Sequence, residues 1–370
     1  MFDDHRHLCI LTRIREAVFV KQQAITRRQA LHVLGCGALA APFSLAAQEP
    51  EFPKGAIIRT ILKDLPPEAL RGGATLFHEH MSLAPDFMPR WLKAAGMRTP
   101  SPTAAPQPFF MQDLDLMVDE MKAAAHDGVA CIVDGGHDDM GRDLDFLRQL
   151  SAKSGMPIVA SCGYYAQPFY PPKIATMSEA EIFEDLVHTA NTQPVGALGE
   201  IGTWDVMTPD ERKVFRAVGK AHLRTNLPIF THTGHGKGAI EQLDVLESVG
   251  VQPQRIVIGH IGGLSDPKVE VVKEICKRGA FVGYDRQGGP GDARNVTQVQ
   301  MLIEAGYAAN LMFASDFSLA PQLVHNHGPG YAKTLTVFVP KLREAGVKEE
   351  TLHQILVDNP RRFLAFAPRF

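Results

Sequence analysis

Cysteine is scarce in this chain, and what there is cannot build a disulfide framework: five in 370 residues, with no CxxC pair. Only Cys131, Cys162 and Cys276 lie beyond the N-terminal region set aside below, so no structural disulfide is expected. Cys131 and Cys162 fall in strand-like runs and read as small core residues. An excess of positive charge is also missing. The formal net charge is -3 and the isoelectric point is near 6.6, which offers no electrostatic footprint for nucleic acid. Neither a GxSxG elbow nor a Cys-His pair is present to supply a nucleophilic side chain. Internal repeats and low-complexity tracts are lacking too. What remains is chemistry on a small molecule, carried by a chain whose 45% hydrophobic content permits a large core.

Residues 1–47 stand apart. Thr26-Arg27-Arg28-Gln29-Ala30-Leu31 resembles a twin-arginine export signal, although Ala30 occupies a place usually held by a bulky apolar residue. An Ala- and Gly-rich apolar stretch from Leu31 to Ala47 follows and closes on Ser44-Leu45-Ala46-Ala47, where cleavage would send the rest of the chain to the periplasm. The alternatives are an uncleaved anchor or a buried helix. The run is slightly short for a spanning helix, so no stable membrane anchor is expected. Met1 to Phe19 precedes an otherwise ordinary leader, which places the expected translation start near Val20. Losing residues 1–47 removes six Lys or Arg and three Asp or Glu, leaving a mildly acidic mature domain over 48–370.

That domain alternates strand-like and helix-like patterns. Strands are expected at 75–80, 129–134, 157–162, 195–200, 228–232, 256–260, 281–285 and 311–315. Helical patterns separate them, for instance at 114–125, 211–224, 269–278 and 299–305, and further helices at 335–345 and 349–357 finish the chain. This rhythm predicts an α/β fold, a single-domain (β/α)8 TIM barrel. The stretch 81–111, rich in Pro, Met and Phe, interrupts it as an elaborated first loop, either covering a pocket or forming a surface insertion.

Five clusters of ligand-type residues close strand-like runs: His78 and His80 in LFHEH, Glu200 in LGEIG, His232 in IFTHTG, His260 in IVIGHIG, and Asp316 in MFASDF. A barrel builds its site at the C-terminal rim of its strands, where these residues would meet. Alternation along the first strand would point Leu76, His78 and His80 inward, and Phe77 and Glu79 toward the helices. His78, His80 and Asp316 are then expected to hold one ion and His232 and His260 a second, with Glu200 as the bridge. Imidazoles and carboxylates suit first-row ions, and zinc is the expected one. Each histidine taken alone is more commonly a hydrogen-bonded core residue. The coincidence of all six ligands carries the reading.

From Gly72 to Leu364 the chain resembles the phosphotriesterase family of the amidohydrolase superfamily, through GATLFHEH, GVACIVDGG with GRD, VGALGEIGT, THTG, VIGHIGG, VGYDRQG, FASDF and NPRRFL. The resemblance implies a binuclear metal hydrolase and, by habit of the family, a homodimer. Glu200 stands where bacterial phosphotriesterases carry a carboxylated lysine, as in the glutamate-bridged branch. Arg286 follows Asp285 where those triesterases have a proton-relaying His, and their next relay aspartate falls near Gly263. Arg286 and Tyr165 resemble the lactonase branch and are taken as substrate-binding residues. Alternatively, Arg286 pairs with Asp285 or a neighbouring carboxylate, and Tyr165 merely packs at its strand end.

The implied mechanism uses a hydroxide bridging two divalent ions, with Asp316 as the catalytic proton acceptor. The substrate would carry a lactone, ester or amide bond, with organophosphate triesters at most a side activity. An N-acyl amino acid amidohydrolase is the alternative, and a non-catalytic ligand-binding barrel is a reading of another class. Lesser candidates for substrate contact are His137, His235, Lys237, His325, His327 and Tyr331, the last in a GxGY turn with Gly328 and Gly330. Arg142 and Asp143 read as residues that pin the second loop.

Overall fold

Apolar alternation in the eight runs produces eight parallel strands: β1 (Ala74–Glu79), β2 (Val129–Asp134), β3 (Ile158–Cys162), β4 (Val195–Thr203), β5 (Ile229–Thr233), β6 (Ile256–Ile258), β7 (Phe281–Tyr284) and β8 (Leu311–Phe313). The computed structural model describes residues 49–97 and 109–369, so the export-signal region and its expected start lie outside the described residues. The strands pair in sequence order, each parallel to the next. The ring is joined just beyond its first and last strands, where His80 N–H donates to the Phe317 carbonyl at 3.1 Å and Asp316 N–H to the His78 carbonyl at 3.2 Å.

The helices follow the βα rhythm: α1 (Phe87–Ala94), α2 (Leu114–His126), α3 (Leu144–Ser154), α4 (Glu179–Thr192), α5 (Pro209–Thr225), α6 (Ala239–Ser248), α7 (Glu270–Arg278) and α8 (Asp292–Glu304). Local sequence sets their starts. Ser178 with Glu181 and Thr208 with Glu211 form capping boxes at α4 and α5, and Pro209 occupies the first turn, where its missing N–H costs nothing. Among the described residues no helix is long and apolar enough to cross a membrane.

Two apolar layers share the strands. Phe77, Cys131, Val133, Val159, Ala197, Phe230, Val257, Phe281 and Met312 fill the barrel interior, and Ile58, Leu70 and Phe363 plug its lower end. Leu76, Ile132, Ile158, Leu198, Ile229, Ile256 and Leu311 belong instead to the layer packed under the helices. This reverses the phase expected for β1. Phe77 faces inward and Leu76 outward, because the register against β2 slips between Leu76 and Glu79: Leu76 pairs with Ile132, yet Glu79 pairs with Asp134. A bulge of this kind resets which residues share a face. Gly283 is required opposite Phe77, whose ring tip occupies the space a β-carbon would need. Cys131, Cys162 and Cys276 are buried and unpaired.

Loop 81–111 does more than decorate the surface. Its helix α1 lies over the C-terminal rim, bringing Phe87, Met88, Trp91 and Met97 to the wall of a cavity that His80 and Asp316 floor.

Candidate metal centre

His78 lies near the end of β1 and His80 just past it, Glu200 lies within β4 and His232 near the end of β5, whereas His260 and Asp316 lie just past β6 and β8 in left-handed backbone, φ 57° and 50°. A side chain with a β-carbon rarely adopts this conformation, and such residues persist where the surroundings hold them. The six expected ligands converge. Glu200 divides its carboxylate between two pairs of imidazoles: Oε1 lies 2.7 Å from His232 Nδ1 and 3.0 Å from His260 Nε2, while Oε2 lies 3.3 Å from His78 Nε2 and 3.7 Å from His80 Nε2. Asp316 Oδ1 is 3.2 Å from His80 Nε2 and 3.9 Å from His78 Nε2. All six residues are buried except Asp316, whose side chain is 17% exposed toward the cavity.

The donor set fits divalent cations. His260 Nε2 and His232 Nδ1 approach to 2.9 Å, and both lie within 3.0 Å of Glu200 Oε1. His78 Nε2 is buried with no hydrogen-bond partner although Glu200 is near, so its lone pair is aimed at a position no protein atom fills. Ligand atoms of His78, His80 and Asp316, and of His78, Glu200 and His260, lie within 4.8 Å of one another. Burial would push the Glu200 carboxyl up, yet His78 and His232 hold it well below the usual carboxylate range. Asp316 is likewise held low, against burial, by His260 and Arg286.

The far nitrogens of two ligands are fixed by Asp285, which the sequence reading left outside the ligand set. Its Oδ2 meets His78 Nδ1 at 3.0 Å, and its Oδ1 meets both His260 Nδ1 and the His260 backbone N–H at 2.9 Å. Each Nδ1 is thereby the protonated one, leaving Nε2 bare for a cation. His137 donates from Nε2 to the Glu200 carbonyl at 2.9 Å and pairs with Asp139 on its other side, so it steadies Glu200 and does not reach the cavity.

Arg286 pairs with Asp316, Nε to Oδ2 at 2.9 Å, and not with Asp285. Tyr165 Oη accepts from Trp91 Nε1 at 3.1 Å and stands 3.1 Å from His232 Nδ1. Because an indole N–H can only donate, the Tyr165 proton is left for His232 or for another acceptor. Tyr165, Arg286 and His235 line the cavity of about 420 Å³ beneath α1. A larger groove of about 810 Å³ opens near Arg59, Lys63 and Gln193, among residues none of which belongs to the cluster.

The lesser candidates separate. Lys237 pairs with Asp205 on the surface, and His325 and His327 are exposed outside the cavity lining. Tyr331 is fully buried, stacks on Phe317 and donates its hydroxyl to the His80 carbonyl at 2.7 Å, a packing role. Arg142 bonds the Ser161 carbonyl, Asp138 and Gln193, and Asp143 caps α3, so both pin the second loop as expected.

A (β/α)8 barrel with four imidazoles and two carboxylates gathered beside the C-terminal ends of its strands has the architecture of a metal-dependent hydrolase. The chain belongs to the phosphotriesterase family, which residues 60–364 match. It is 31% identical over 269 residues to an aryldialkylphosphatase of Saccharolobus solfataricus, covering 67% of this chain and 84% of that one. To an N-acetyltaurine hydrolase of Salmo salar it is 26% identical over 350 residues, covering 84% and 98%. A lactonase from Listeria monocytogenes superimposes with a TM-score of 0.72 at 26% identity, covering 83% and 98% of the two chains. The protein is a hydrolase of a metal-dependent family that acts on small molecules.

Proposed function

We propose that this hydrolase uses two divalent cations, most simply zinc, to cleave a lactone, ester or amide bond. The observation that carries this reading is the division of Glu200 between two imidazole pairs, one oxygen to each. His78, His80 and Asp316 would hold one ion and His232 and His260 the other. Bound there, the pair would supply a hydroxide nucleophile at neutral pH and polarise the scissile carbonyl.

The chain's own residues provide the rest. Asp316, with one oxygen toward His80 and the other on Arg286, is the proton acceptor. Arg286 keeps it ionised and aimed, and its partly exposed guanidinium presents donors to an anionic or carbonyl substrate. The Tyr165 hydroxyl, which accepts from Trp91, can donate to a substrate oxygen. Phe87, Met88 and Trp91 exclude water and favour an apolar substituent on the substrate. The kinship to N-acetyltaurine hydrolases supports the amide alternative, an N-acyl amino acid amidohydrolase, and the kinship to a lactonase supports the ester-like one.

The test is a panel of lactones, N-acyl amino acids, aryl esters and phosphotriesters offered to the metal-loaded protein, with Glu200→Ala and Asp316→Asn alongside. Glu200→Ala should lose bound metal and activity, whereas Asp316→Asn should keep metal and lose turnover. Equal rates for wild type and Glu200→Ala would sink the metal-hydrolase reading, and a fully active, metal-loaded Asp316→Asn would remove the proton acceptor.

A further inference from the structure

The middle residue of LFHEH takes no part in the reading above, and it is a fully buried carboxylate. We propose that Glu79 is a positioning residue for Asp316, a clip that grips the peptide groups on either side of it and so aims the Asp316 carboxylate at His80 and Arg286. The inference rests on Asp316 being the proton acceptor.

Glu79 Oε1 accepts the Ser315 N–H at 2.7 Å and Oε2 accepts the Phe317 N–H at 2.8 Å. The amide between them, that of Asp316, donates to the His78 carbonyl at 3.2 Å. Three successive amides after β8 are therefore tied to β1, two of them to one side chain. The residue they enclose is the one whose backbone is left-handed, φ 50°. An aspartate tolerates that conformation better than most residues but does not seek it. Without the clip two interior N–H groups would lack partners, and the turn would be free to relax toward negative φ, swinging the Asp316 side chain off its present line.

Glu79 does nothing else that the structure shows. Both of its oxygens are occupied, it is closed to solvent, and it does not line the cavity. Burial pushes the Glu79 carboxyl up to about 8, opposed by the Phe317 amide, the buried Lys333 and the Ser315 amide, each of which favours the ionised form that accepts from both N–H groups. The choice of glutamate follows from its two partners both being donors. Glutamine would offer one acceptor and set an N–H against the other amide, and aspartate is one methylene too short to span both.

The experiment is a double-substitution cycle on the full chain: Glu79→Gln, Asp316→Asn and the pair, with kcat and KM for p-nitrophenyl acetate, metal per chain, and hydrogen exchange of segment 310–320 in the metal-free protein. Glu79→Gln should lower kcat by about a hundredfold, the cost of a misplaced catalytic group. KM and metal per chain should stay within about twofold of wild type, and in the Asp316→Asn background the same substitution should change the residual kcat by less than about twofold. Exchange at the Ser315 and Phe317 amides should speed up even with no metal present.

Equal fold losses in both backgrounds would mean that Glu79 acts independently of Asp316 and would overturn the proposal. So would a variant that loses only thermal stability or metal while each loaded molecule turns over normally. If Glu79→Gln does not fold, Glu79→Asp, which keeps the charge and breaks the span, is judged by the same coupling. An unaffected Asp316→Asn removes the underlying mechanism as well, whereas an inactive Asp316→Asn beside an unaffected Glu79→Gln removes the clip alone.

Discussion

Replacing Asp285 by Asn tests how the fold tunes its ligands, because the substitution changes no ligand atom and almost no volume. Asp285 is buried, and although burial would raise its carboxyl, His260 and His78 draw it down to about 2, so it is ionised at any working pH. It accepts three hydrogen bonds, two from His260 and one from His78. Asparagine has one acceptor oxygen. That oxygen should stay with His260, which offers two donors, leaving the amide N–H₂ facing His78 Nδ1. Two N–H groups then oppose each other unless the His78 proton moves to Nε2, and a protonated Nε2 cannot ligate a cation.

Loss of such an orienting partner weakens metal affinity by about 10- to 100-fold, or about 1.4 to 2.7 kcal/mol. The loss should fall first on the ion proposed for His78, His80 and Asp316. Equilibrium dialysis against a graded chelator, with zinc measured per chain, should show one of the two proposed ions half-released at about 10- to 100-fold higher free zinc than in wild type. Superimposable titration curves for the two proteins would refute the tautomer argument.

Two further outcomes follow from buried groups elsewhere. His222 in α5 donates from Nδ1 to the Leu227 carbonyl, and burial lowers its pKa from 6.5 to about 4. Below pH 6.5 the unfolded chain takes up a proton that the folded chain refuses, so stability present above that pH should fall by about 3 kcal/mol on descending to pH 4. His222→Gln should flatten the melting-temperature profile across this window, and an unchanged slope would exclude His222 as its source. The chain's two tryptophans, Trp91 and Trp204, have rings 5.6 Å apart, with Trp91 on the cavity wall, so indole fluorescence should respond when a substrate enters. Trp91→Phe keeps an aromatic wall but frees Tyr165, and the loss of one hydrogen bond, about 0.5 to 1.5 kcal/mol, should raise KM several-fold; a KM equal to that of wild type would show that the Trp91–Tyr165 bond does not serve binding.

Much of the site was legible because each candidate ligand closes an apolar run, and such runs ending in His, Glu or Asp announce both a strand and the neighbourhood of its rim. The parity of β1 was not legible. A slip in pairing against β2 is set by the neighbouring strand, so the alternation within ATLFHE could not reveal that Phe77 turns inward. Asp285 was visible as the end of a strand, but nothing in VGYD indicates that its two oxygens serve imidazoles from β1 and from the turn after β6. Likewise, the sequence offered Asp285 or some neighbouring carboxylate as the partner of Arg286, and only the structure selects Asp316.

Residue type and order by themselves pointed to the barrel and to the six candidate ligands near strand ends, because strand period and metal-ligand chemistry are local properties. Tertiary structure alone decided which Glu200 oxygen faces which imidazole pair, which nitrogen of His78 and of His260 is bare, and that the loop after β1 roofs the cavity with Trp91. Those facts are distances and directions between side chains far apart in the chain. They exist only once closure of the ring brings Glu79 within reach of the amides of Ser315 and Phe317.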